Sequence, residues 1–379
     1  MTATVEQIIE ALRPVEDPEL HRSIVELGMV RDVAVAAEGV SLTVVLTVAG
    51  CPLRNEIQNR VTTAVAPLAP NGKVALQFGV MTDEERARVR QMLHGDPSST
   101  AGSTHAHGHA EGRAIPFAAK DSKTKPILVS SGKGGVGKSS VTTNLAVALA
   151  AQGHKVGIVD ADIYGFSIPR MLGADRDPVV LDNMLLPPET HGVRCISIGY
   201  FVPDGDAVIW RGPMLHKALE QFLTDVFWDE PDYLLIDMPP GTGDIALSLS
   251  QYLPKAEVLV VTTPQPAAQK VARLSAAMAK KVNLPVIGVI ENMSWFTGDD
   301  GKRYELFGSG GGKELAKDLG VPLLAQIPLV TQLREGGDDG QPIAAVAPDS
   351  EVGRAFHDLA RSIVKMKPRR IFSKALRVS

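Results

Sequence analysis

The ten residues at 131–140 constrain this chain more than any other part of its sequence. They read SGKGGVGKSS, and Gly132, Gly137, Lys138 and Ser139 occupy the G-x-x-x-x-G-K-[ST] positions of a phosphate-binding loop. The glycines of such a loop let successive backbone N–H groups turn inward around phosphate oxygens. The pattern therefore predicts that this loop holds the phosphates of a ligand.

The residues on either side of the loop fit a strand-to-helix turn. Before it, the apolar run PILVS at 126–130 is typical of a buried parallel strand. After it, the apolar residues at 145 and 147–149 belong to a helical face, so the positive end of a helix points at the bound anion. An ordinary strand-to-helix turn would not explain Lys138 and Ser139. A second lysine, Lys133, distinguishes this loop from most others of its kind.

Length and charge limit the functions that need to be considered. The chain has 379 residues, 44% of them hydrophobic, which is enough for about two or three domains and a large core. Its net charge of −4 disfavours nucleic acid as the main partner. Because the sequence shows neither a signal peptide nor a run of about 18 apolar residues, we expect a cytoplasmic protein without stable membrane association. With Cys51 and Cys195 as its only cysteines, it has no disulfide framework and no C-x-x-C pair.

A change of composition at 95–119 separates two folded parts. This stretch lacks apolar periodicity and is rich in Gly, Ser, Thr, Pro and His, which is typical of a flexible linker. His105, His107 and His109 could bind a metal loosely, but without other ligands we interpret them as solvated. The predicted division is a small domain at 1–94, a linker at 95–122, a large domain at 123–364 and a basic tail at 365–379.

The small domain is predicted to be a compact α+β unit in the order αββαβα. Periodicity predicts a helix at 5–12, strands at 31–37 and 40–48, a helix after Gly50, a strand at 73–80 and a helix at 82–93.

The two cysteines differ in their surroundings. Cys51 is expected at the start of a helix, with Pro52 at the first helical position, and a helix N-terminus stabilises a thiolate. It is therefore either a reactive or metal-binding thiol or a partly buried residue that closes a turn, and sequence leaves both open. Cys195 alternates with apolar residues in VRCISIGYF, which predicts a buried strand.

Carboxylates follow two further strands of the large domain. The run KVGIVD at 155–160 ends in Asp160 and leads to Asp162, and YLLID at 233–237 ends in Asp237, followed by PPGTGD. The carboxyl ends of parallel strands face the ligand crevice of an open sheet. We therefore expect Ser139 to bind Mg²⁺ directly and Asp237 to hold it through water, with backbone N–H groups at 241–243 near a terminal phosphate.

The remaining large-domain pattern predicts an α/β fold with a doubly wound parallel sheet. Strands at 257–263, 285–290 and 323–327 alternate with helical stretches such as 267–281. Asn292 follows one of these strands, where its amide could either read an adenine edge or close a turn.

The motifs together resemble the Mrp-type ATPases of the deviant Walker A group of P-loop proteins. The resembling segments over 126–360 are Lys133 within GKGGVGKS, DADIYG at 160–165, WRGPM at 210–214, DMPPGTGD at 237–244 and ENM at 291–293. The small domain is similar to the iron–sulfur assembly domain that often precedes these ATPases, through EDPEL and Cys51-Pro52. The resemblance implies a cytoplasmic homodimer that hydrolyses ATP with Mg²⁺ and delivers iron–sulfur clusters to apo client proteins.

The resemblance also implies a role for each site residue. Lys133 reaches across the dimer to the partner's phosphates, Lys138 contacts phosphates in its own subunit, and Asp162 orients the attacking water; Asn292 reads adenine. Asp160 has a structural or magnesium-shell role. The nucleotide-binding set is then Gly132, Lys133, Gly134, Gly135, Val136, Gly137, Lys138, Ser139, Ser140 and Asn292.

Carriers of this family usually show a C-x-x-C pair after ENM, through which two subunits share a [4Fe-4S] cluster. Here that stretch reads SWFTGDDGKRYELFGSGGG and contains no cysteine. Its Asp299, Asp300, Tyr304 and Glu305 are poor replacements for thiolates. A cluster could be held by Cys51 across a dimer or transiently with ligands from a client, or the ATPase could only assist assembly.

Two other classes of function share the same loop. A positioning ATPase of the MinD or ParA kind would attach reversibly to membrane or DNA, and the basic tail with its short apolar face resembles a weak membrane anchor. Pro368 and the shortness of this segment favour a solvated tail. A scaffold with an inactive nucleotide site would tolerate the loss of Lys133 and Lys138.

Overall fold

The computed structural model describes residues 3–48, 50–94, 109–110, 113–119, 121–162, 165–202, 212–241 and 244–366. Its contacts divide the chain into two compact units. The first consists of Met1–Ala106, Arg176–Pro188 and Thr224–Asp229, and the second consists of His107–Asp175, Glu189–Leu223 and Glu230–Ser379.

The helices are α1 (Val5–Leu12), α2 (Arg54–Val65), α3 (Asp83–His94), α4 (Lys138–Ala150), α5 (Ile168–Leu172), α6 (Gly212–Thr224), α7 (Asp244–Tyr252), α8 (Pro266–Lys281), α9 (Gly311–Leu319), α10 (Thr331–Asp338), α11 (Ile343–Val346) and α12 (Glu351–Lys365). The strands are β1 (Val30–Ala36), β2 (Gly39–Leu46), β3 (Val74–Val80), β4 (His109–Ala110), β5 (Arg113–Ala114), β6 (Lys125–Ser131), β7 (Val156–Asp160), β8 (Val179–Leu181), β9 (Met184–Leu186), β10 (Glu189–Thr190), β11 (Val193–Ser197), β12 (Tyr233–Asp237), β13 (Glu257–Thr262), β14 (Val286–Asn292), β15 (Phe296–Thr297), β16 (Arg303–Tyr304) and β17 (Leu323–Ile327).

The first unit has the predicted order αββαβα. Thr4 caps α1 in a reciprocal arrangement, in which the Gln7 N–H donates to Thr4 Oγ1 at 3.3 Å and the Thr4 N–H donates to Gln7 Oε1 at 2.9 Å. Strand β2 lies at the centre of its sheet, antiparallel to β1 and parallel to β3. The predicted helices and strands of this unit are confirmed to within a few residues.

The core of the first unit includes side chains from two later segments of the chain. Leu181, Met184, Leu186 and Phe227 are buried in one cluster with the apolar residues of α1, α2 and β2. A backbone hydrogen bond joins these two segments, Arg176–Pro188 and Thr224–Asp229. In it, the Phe227 N–H donates to the carbonyl of Leu185 at 2.8 Å. The compact unit that contains 1–94 is thus completed by residues far beyond that predicted boundary.

The second unit is built on an eight-stranded sheet in the order β10-β11-β7-β12-β6-β13-β14-β17. All its neighbouring strands are parallel except β10, which runs antiparallel to β11. Every residue of β7, β11, β12 and β13 is buried, as expected for a parallel sheet covered on both faces.

Helices α4 and α8 cover opposite faces of this sheet. Val129 of β6 packs in the cluster that contains Leu145 of α4, while Ser130 Oγ lies 2.7 Å from Ser275 Oγ of α8. Successive residues of a strand point to opposite faces. The doubly wound α/β fold is therefore confirmed, with β10 as an antiparallel addition at its edge.

Strand register brings the predicted carboxylates together. Asp160 at the end of β7 pairs with Asp237 at the end of β12, and Asp237 also pairs with Val129 of β6. The phosphate-binding loop leaves β6 beyond Ser131. The loop and both carboxylates therefore lie at one carboxyl edge of the sheet, where open α/β sheets bind ligands.

Some predicted features lie outside the described residues. These are 95–108 of the linker with His105 and His107, 163–164 in DADIYG, 203–211 with the start of WRGPM, 242–243 in the PPGTGD segment, and 367–379 of the basic tail. Within the described part of the chain, no helix combines the length and apolar character that crossing a bilayer requires.

Candidate functional site

The phosphate-binding loop has the backbone shape that its glycines predict. Gly135 and Gly137 have φ angles of 76° and 78°, a region that glycine adopts without the strain other residues incur. A Cβ placed on Gly134 or Gly135 would meet no atom within 4 Å. The outer rim of the loop is therefore open to a ligand, and α4 begins directly behind it.

The base of the loop is clamped between α8 and β14. A Cβ on Gly132 would lie 2.3 Å from the Ala272 backbone nitrogen, and one on Gly137 would lie 2.2 Å from Asn292 Nδ2. Asn292 Nδ2 also donates to the carbonyl oxygen of Val136 at 2.9 Å. Any side chain at Gly132 or Gly137 would displace the loop from this support.

Asn292 therefore holds the loop in place, a role that sequence reasoning missed. Its bond to Val136 spans 156 residues, so it does not close a local turn. Asn292 Oδ1 is buried and accepts no hydrogen bond from any described residue. That free acceptor is compatible with the predicted contact to an adenine amino group, which stays a prediction.

Lys138 and three neighbours form the centre of the site. Asp237 is fully buried, and its Oδ2 lies 2.5 Å from Lys138 Nζ. Ser139 Oγ donates to the same oxygen at 2.7 Å, while Thr142 Oγ1 donates to Asp237 Oδ1 at 2.7 Å. A buried carboxylate is stable only with such compensation, so one cation and two hydroxyls fix this group.

Ser139 and Asp237 supply the hard oxygen ligands that suit Mg²⁺. They converge at the helix terminus next to the open loop, as expected from the sequence. Thr142 is a further member of this cluster that the motif did not identify. Thr142 lies three residues after Ser139 on the same helix, and residues at this spacing are neighbours on a helix surface. This spacing was the sequence signal that could have identified Thr142.

Asp162 and Asp160 play different parts. Asp162 Oδ2 lies 3.6 Å from Lys138 Nζ, and burial raises the pKa of Asp162 although Lys138 opposes the shift. Asp160 accepts from the Asp162 N–H at 3.2 Å and from Ser197 Oγ at 3.1 Å, which favours the structural role for it. Burial, followed by the charge of Asp237, raises the pKa of Asp160 to about 7.

Replacing Asp160 by Asn should flatten the dependence of stability on pH. The folded pKa of Asp160, about 7, lies above the unfolded value of about 3.9. The wild type therefore loses stability as pH rises between these values, by roughly 2–3 kcal/mol over the part above about pH 5, and Asp160→Asn does not. Urea unfolding of nucleotide-free, magnesium-free protein at about pH 5 and about pH 8 measures the difference. Parallel changes in the two proteins would show that Asp160 titrates normally.

Lys133 is hydrogen-bonded to a residue outside the Lys138 cluster. Its Nζ donates to Gln265 Oε1 at 3.0 Å, and its carbonyl accepts from Ser131 Oγ at 3.1 Å. The Ser131 carbonyl in turn accepts from the Gly241 N–H at 3.0 Å. The Gly241 N–H, which we expected near a terminal phosphate, is thus engaged with β6 instead.

The other loop positions serve local packing. Val136 is buried, and Ser140 Oγ donates to Met171 Sδ at 3.9 Å on α5. Asn144 joins α4 to α11, because its Oδ1 accepts from the Ala344 N–H at 3.0 Å. These contacts fix the helix whose N-terminus faces the ligand.

Two family models match this chain. The model of the NUBPL iron-transfer P-loop NTPase matches residues 122–364, and the model of an iron-sulfur cluster assembly protein matches residues 5–76. The chain belongs to the NUBPL iron-transfer P-loop NTPase family. This confirms the resemblance drawn from the motifs, including the separate N-terminal domain.

Relatives of this chain carry names that agree with this family. An "Iron-sulfur cluster carrier protein" from Mycobacterium leprae is 48% identical over 92% of this chain and 90% of its own length. One from a Synechocystis strain is 41% identical over 95% of this chain and 97% of its own length. A nucleotide-binding protein from Archaeoglobus fulgidus, solved with ADP, is 38% identical with a TM-score of 0.50, covering 58% of this chain and 88% of its own.

The two cysteines of this chain are both buried. Helix α2 begins at Arg54, so the expectation that Pro52 occupies its first position is wrong. Burial raises the pKa of Cys51 to about 11, which is opposite to the expected stabilisation of a thiolate. The Cys51 carbonyl accepts from the Arg54 N–H at 3.3 Å, as expected for a cysteine that closes a turn. Cys195 is fully buried in β11, as predicted.

The stretch that replaces the C-x-x-C pair forms a small hairpin. Phe296 of β15 pairs with Tyr304 of β16, and the Tyr304 hydroxyl donates to Asp300 Oδ2 at 2.8 Å. The Arg303 guanidinium carbon lies 4.2 Å from the centre of the Trp295 ring. No group of three or more His, Cys, Asp or Glu side chains is placed to hold a metal ion in the part of the chain described.

Proposed function

We propose that this chain is a magnesium-dependent ATPase that works as a homodimer and delivers iron–sulfur clusters to apo client proteins. The observation that carries the ATPase part is the cluster of Lys138, Ser139 and Asp237 at the open end of the loop. Membership of the iron-transfer family, together with the names of the relatives, supports the delivery part.

The loop and α4 would hold the phosphates of ATP. The backbone at 134–137 and the N-terminus of α4 offer N–H donors, and Lys138 adds a charge beside them. Ser139 would hold Mg²⁺ directly and Asp237 through water. When bound, the ion would offset negative charge on the phosphates.

Lys138 must change partner when a nucleotide binds. Its Nζ lies 2.5 Å from Asp237 Oδ2, and an ammonium group in that position neutralises the carboxylate. A phosphate oxygen competes with this carboxylate for Lys138 and so leaves Asp237 able to serve the metal. The nucleotide-free pairing therefore keeps a buried magnesium ligand stable without its ion.

Asp162 would orient the attacking water. It lies next to Lys138, and its side chain is 13% exposed, so it can contact both the cluster and solvent. Its raised pKa improves it as an acceptor of the water's proton, since a base works best when its pKa approaches the ambient pH. Lys133 of the second subunit would offset charge on the transferred phosphoryl group.

The cysteines do not fit a resident four-thiolate cluster. Each chain has two, so a homodimer has four, and the two copies of Cys195 are fully buried in β11. Two Cys51 thiols, each with a raised pKa, would supply at most half of the four ligands. We therefore propose that a cluster is held transiently and that the client's own cysteines complete its coordination.

Anaerobic reconstitution with iron and sulfide tests this proposal. We expect wild-type protein to lose most of its iron on gel filtration, measured by visible absorption and iron content. It should still speed the Mg-ATP-dependent activation of an apo [4Fe-4S] hydratase that is supplied with iron and sulfide. Lys138→Met should abolish the ATP-dependent part of this activation. Cys51→Ala tests whether the Cys51 thiol contributes to it.

Two results would contradict the proposed route. A cluster that remains on wild-type protein at about four irons per dimer, and persists in Cys51→Ala, would require resident ligands that the described residues lack. No acceleration of client activation, in protein that hydrolyses ATP, would contradict cluster delivery while leaving the ATPase assignment intact.

A further inference from the structure

Lys133 is bound within its own subunit. Its Nζ donates to Gln265 Oε1 at 3.0 Å, across 132 residues of sequence. Gln265 lies between the end of β13 and the first residue of α8. A hydrogen bond from a charged ammonium is stronger than one between neutral groups, so this contact opposes movement of Lys133.

The backbone that carries Gln265 is fixed. Its carbonyl accepts from the Ala268 N–H at 3.0 Å, and Pro266 occupies the first position of α8. The carbonyl of Pro264 accepts from Gln269 Nε2 at 3.0 Å. The Gln265 side chain makes no capping bond to α8, so its amide is available to Lys133.

The backbone that carries Lys133 is fixed as well. Ser131 Oγ donates to the Lys133 carbonyl at 3.1 Å. The preceding residue, Gly132, packs so closely on α8 that a Cβ there would lie 2.3 Å from the Ala272 nitrogen. Rotation about the side-chain bonds of Lys133 is therefore the available way to move its ammonium group.

A lysine that serves a second subunit cannot keep this contact. The proposed function requires the Lys133 ammonium to approach phosphates bound by the partner, and Gln265 Oε1 belongs to its own subunit. The bond must break before Lys133 engages the partner. Its strength therefore shifts the balance between the held and the engaged states of Lys133.

We propose that Gln265 is a positioning residue that retains Lys133 in its own subunit and thereby sets the protein concentration at which dimer-dependent ATP hydrolysis begins. The inference rests on the proposed function, since it assumes that Lys133 acts across the dimer. Gln265 regulates access to the engaged state and takes no part in the chemistry.

Two substitutions of Gln265 should change activity in opposite directions. Gln265→Ala removes the acceptor and should lower the protein concentration for half-maximal hydrolysis per subunit by roughly three- to tenfold. Gln265→Glu replaces a neutral acceptor by a carboxylate and should raise it by a similar factor of roughly three to ten. Both should keep the wild-type rate at saturating protein, since neither alters the Lys138 cluster.

The experiment is a titration of protein concentration at saturating Mg-ATP, with sedimentation of each variant in a non-hydrolysed ATP analogue. Gln332→Ala provides a matched control, because Gln332 is an exposed glutamine of α10. Gln265→Ala should have no effect on sedimentation when Lys133 is already alanine. That result would show that Gln265 acts through Lys133.

The outcomes separate this inference from the proposed function. If hydrolysis per wild-type subunit does not depend on protein concentration, the proposal that hydrolysis requires a dimer is contradicted, and the role of Gln265 is contradicted with it. If wild-type hydrolysis does depend on concentration but both Gln265 variants match wild type, only the role of Gln265 is overturned. Loss of activity in both variants at saturating protein would overturn it too, because that indicates a structural role.

Discussion

Lys138→Met should lower the rate of ATP hydrolysis by on the order of 10²- to 10³-fold, the loss seen when one charge-stabilising donor is removed from an active site. Lys138 is 6% exposed, and its Nζ lies 2.5 Å from Asp237 and 3.6 Å from Asp162. Methionine fills similar space but offers no charge to a phosphate. Steady-state kinetics measures the change in the rate of hydrolysis, and binding of a fluorescent ATP analogue measures the change in affinity for the nucleotide.

The same substitution should destabilise the nucleotide-free protein in a manner that depends on pH. Breaking a buried ion pair by removing one partner costs about 3–5 kcal/mol. Lys138 also lowers the pKa values of Asp160 and Asp162, so its loss raises both. The folded variant then binds protons more tightly than wild type, and its deficit in stability grows as pH rises from about 5 to about 8.

Lys125 provides the matched control for Lys138. It is a mostly buried lysine at the start of β6, and its Nζ lies 3.0 Å from Glu257 Oε2. Lys125→Met breaks an ion pair at the amino ends of the strands, so it should lower stability and leave hydrolysis by the folded protein within a few-fold of wild type. Equal loss of hydrolysis in both variants would show that Lys138 matters only through folding.

Much of the fold could be predicted because the central strands are buried on both faces. Such strands are continuous apolar runs, and the predicted 233–237 agrees with β12 residue for residue. The strand ends predict that Asp160 and Asp237 lie at one edge of the sheet, and their pairing confirms this. The position of the candidate site thus follows from local pattern and one general rule of α/β sheets.

The contacts that tune the site could not be predicted, because they join distant parts of the chain. Gln265 meets Lys133 across 132 residues, and Asn292 meets Val136 across 156. Each depends on how α8 or β14 packs against the loop, which no local pattern specifies.

The sequence left the environment of Cys51 open for a related reason. A helix terminus nearby favours a thiolate, but burial outweighs this effect and raises the pKa of the thiol. Local sequence shows the helix and does not show how deeply tertiary packing buries the side chain. The later segments that complete the core of the first unit contain Leu181 and Phe227. They could not be predicted for the same reason, because their burial depends on tertiary packing.

Lys133→Ala should lower the rate of hydrolysis at saturating ATP by on the order of 10³-fold or more, as expected for a charge supplied in trans to a phosphoryl group. Binding of ATP by each subunit should change little, because Lys133 Nζ contacts Gln265 and the Lys138 cluster remains complete. Stability should also stay near that of wild type, since the side chain is only partly buried. Hydrolysis, nucleotide binding and thermal unfolding, measured on the same preparation, separate these effects.

Mixing two inactive variants tests whether Lys133 acts across the dimer. In a heterodimer of Lys133→Ala and Lys138→Met, the first subunit keeps an intact Lys138 cluster and receives Lys133 from the second. At equal amounts and random pairing, half of the dimers regain one of two sites, so activity should return to about one quarter of wild type. If Lys133 instead served its own subunit, the site that keeps Lys138 would lack Lys133, and the mixture would stay as inactive as its components. A mixture of the double variant with Lys133→Ala, which can restore no site in either arrangement, measures the background. Activity at that level in the first mixture would contradict a role for Lys133 across the dimer and would remove this reason to propose a homodimer.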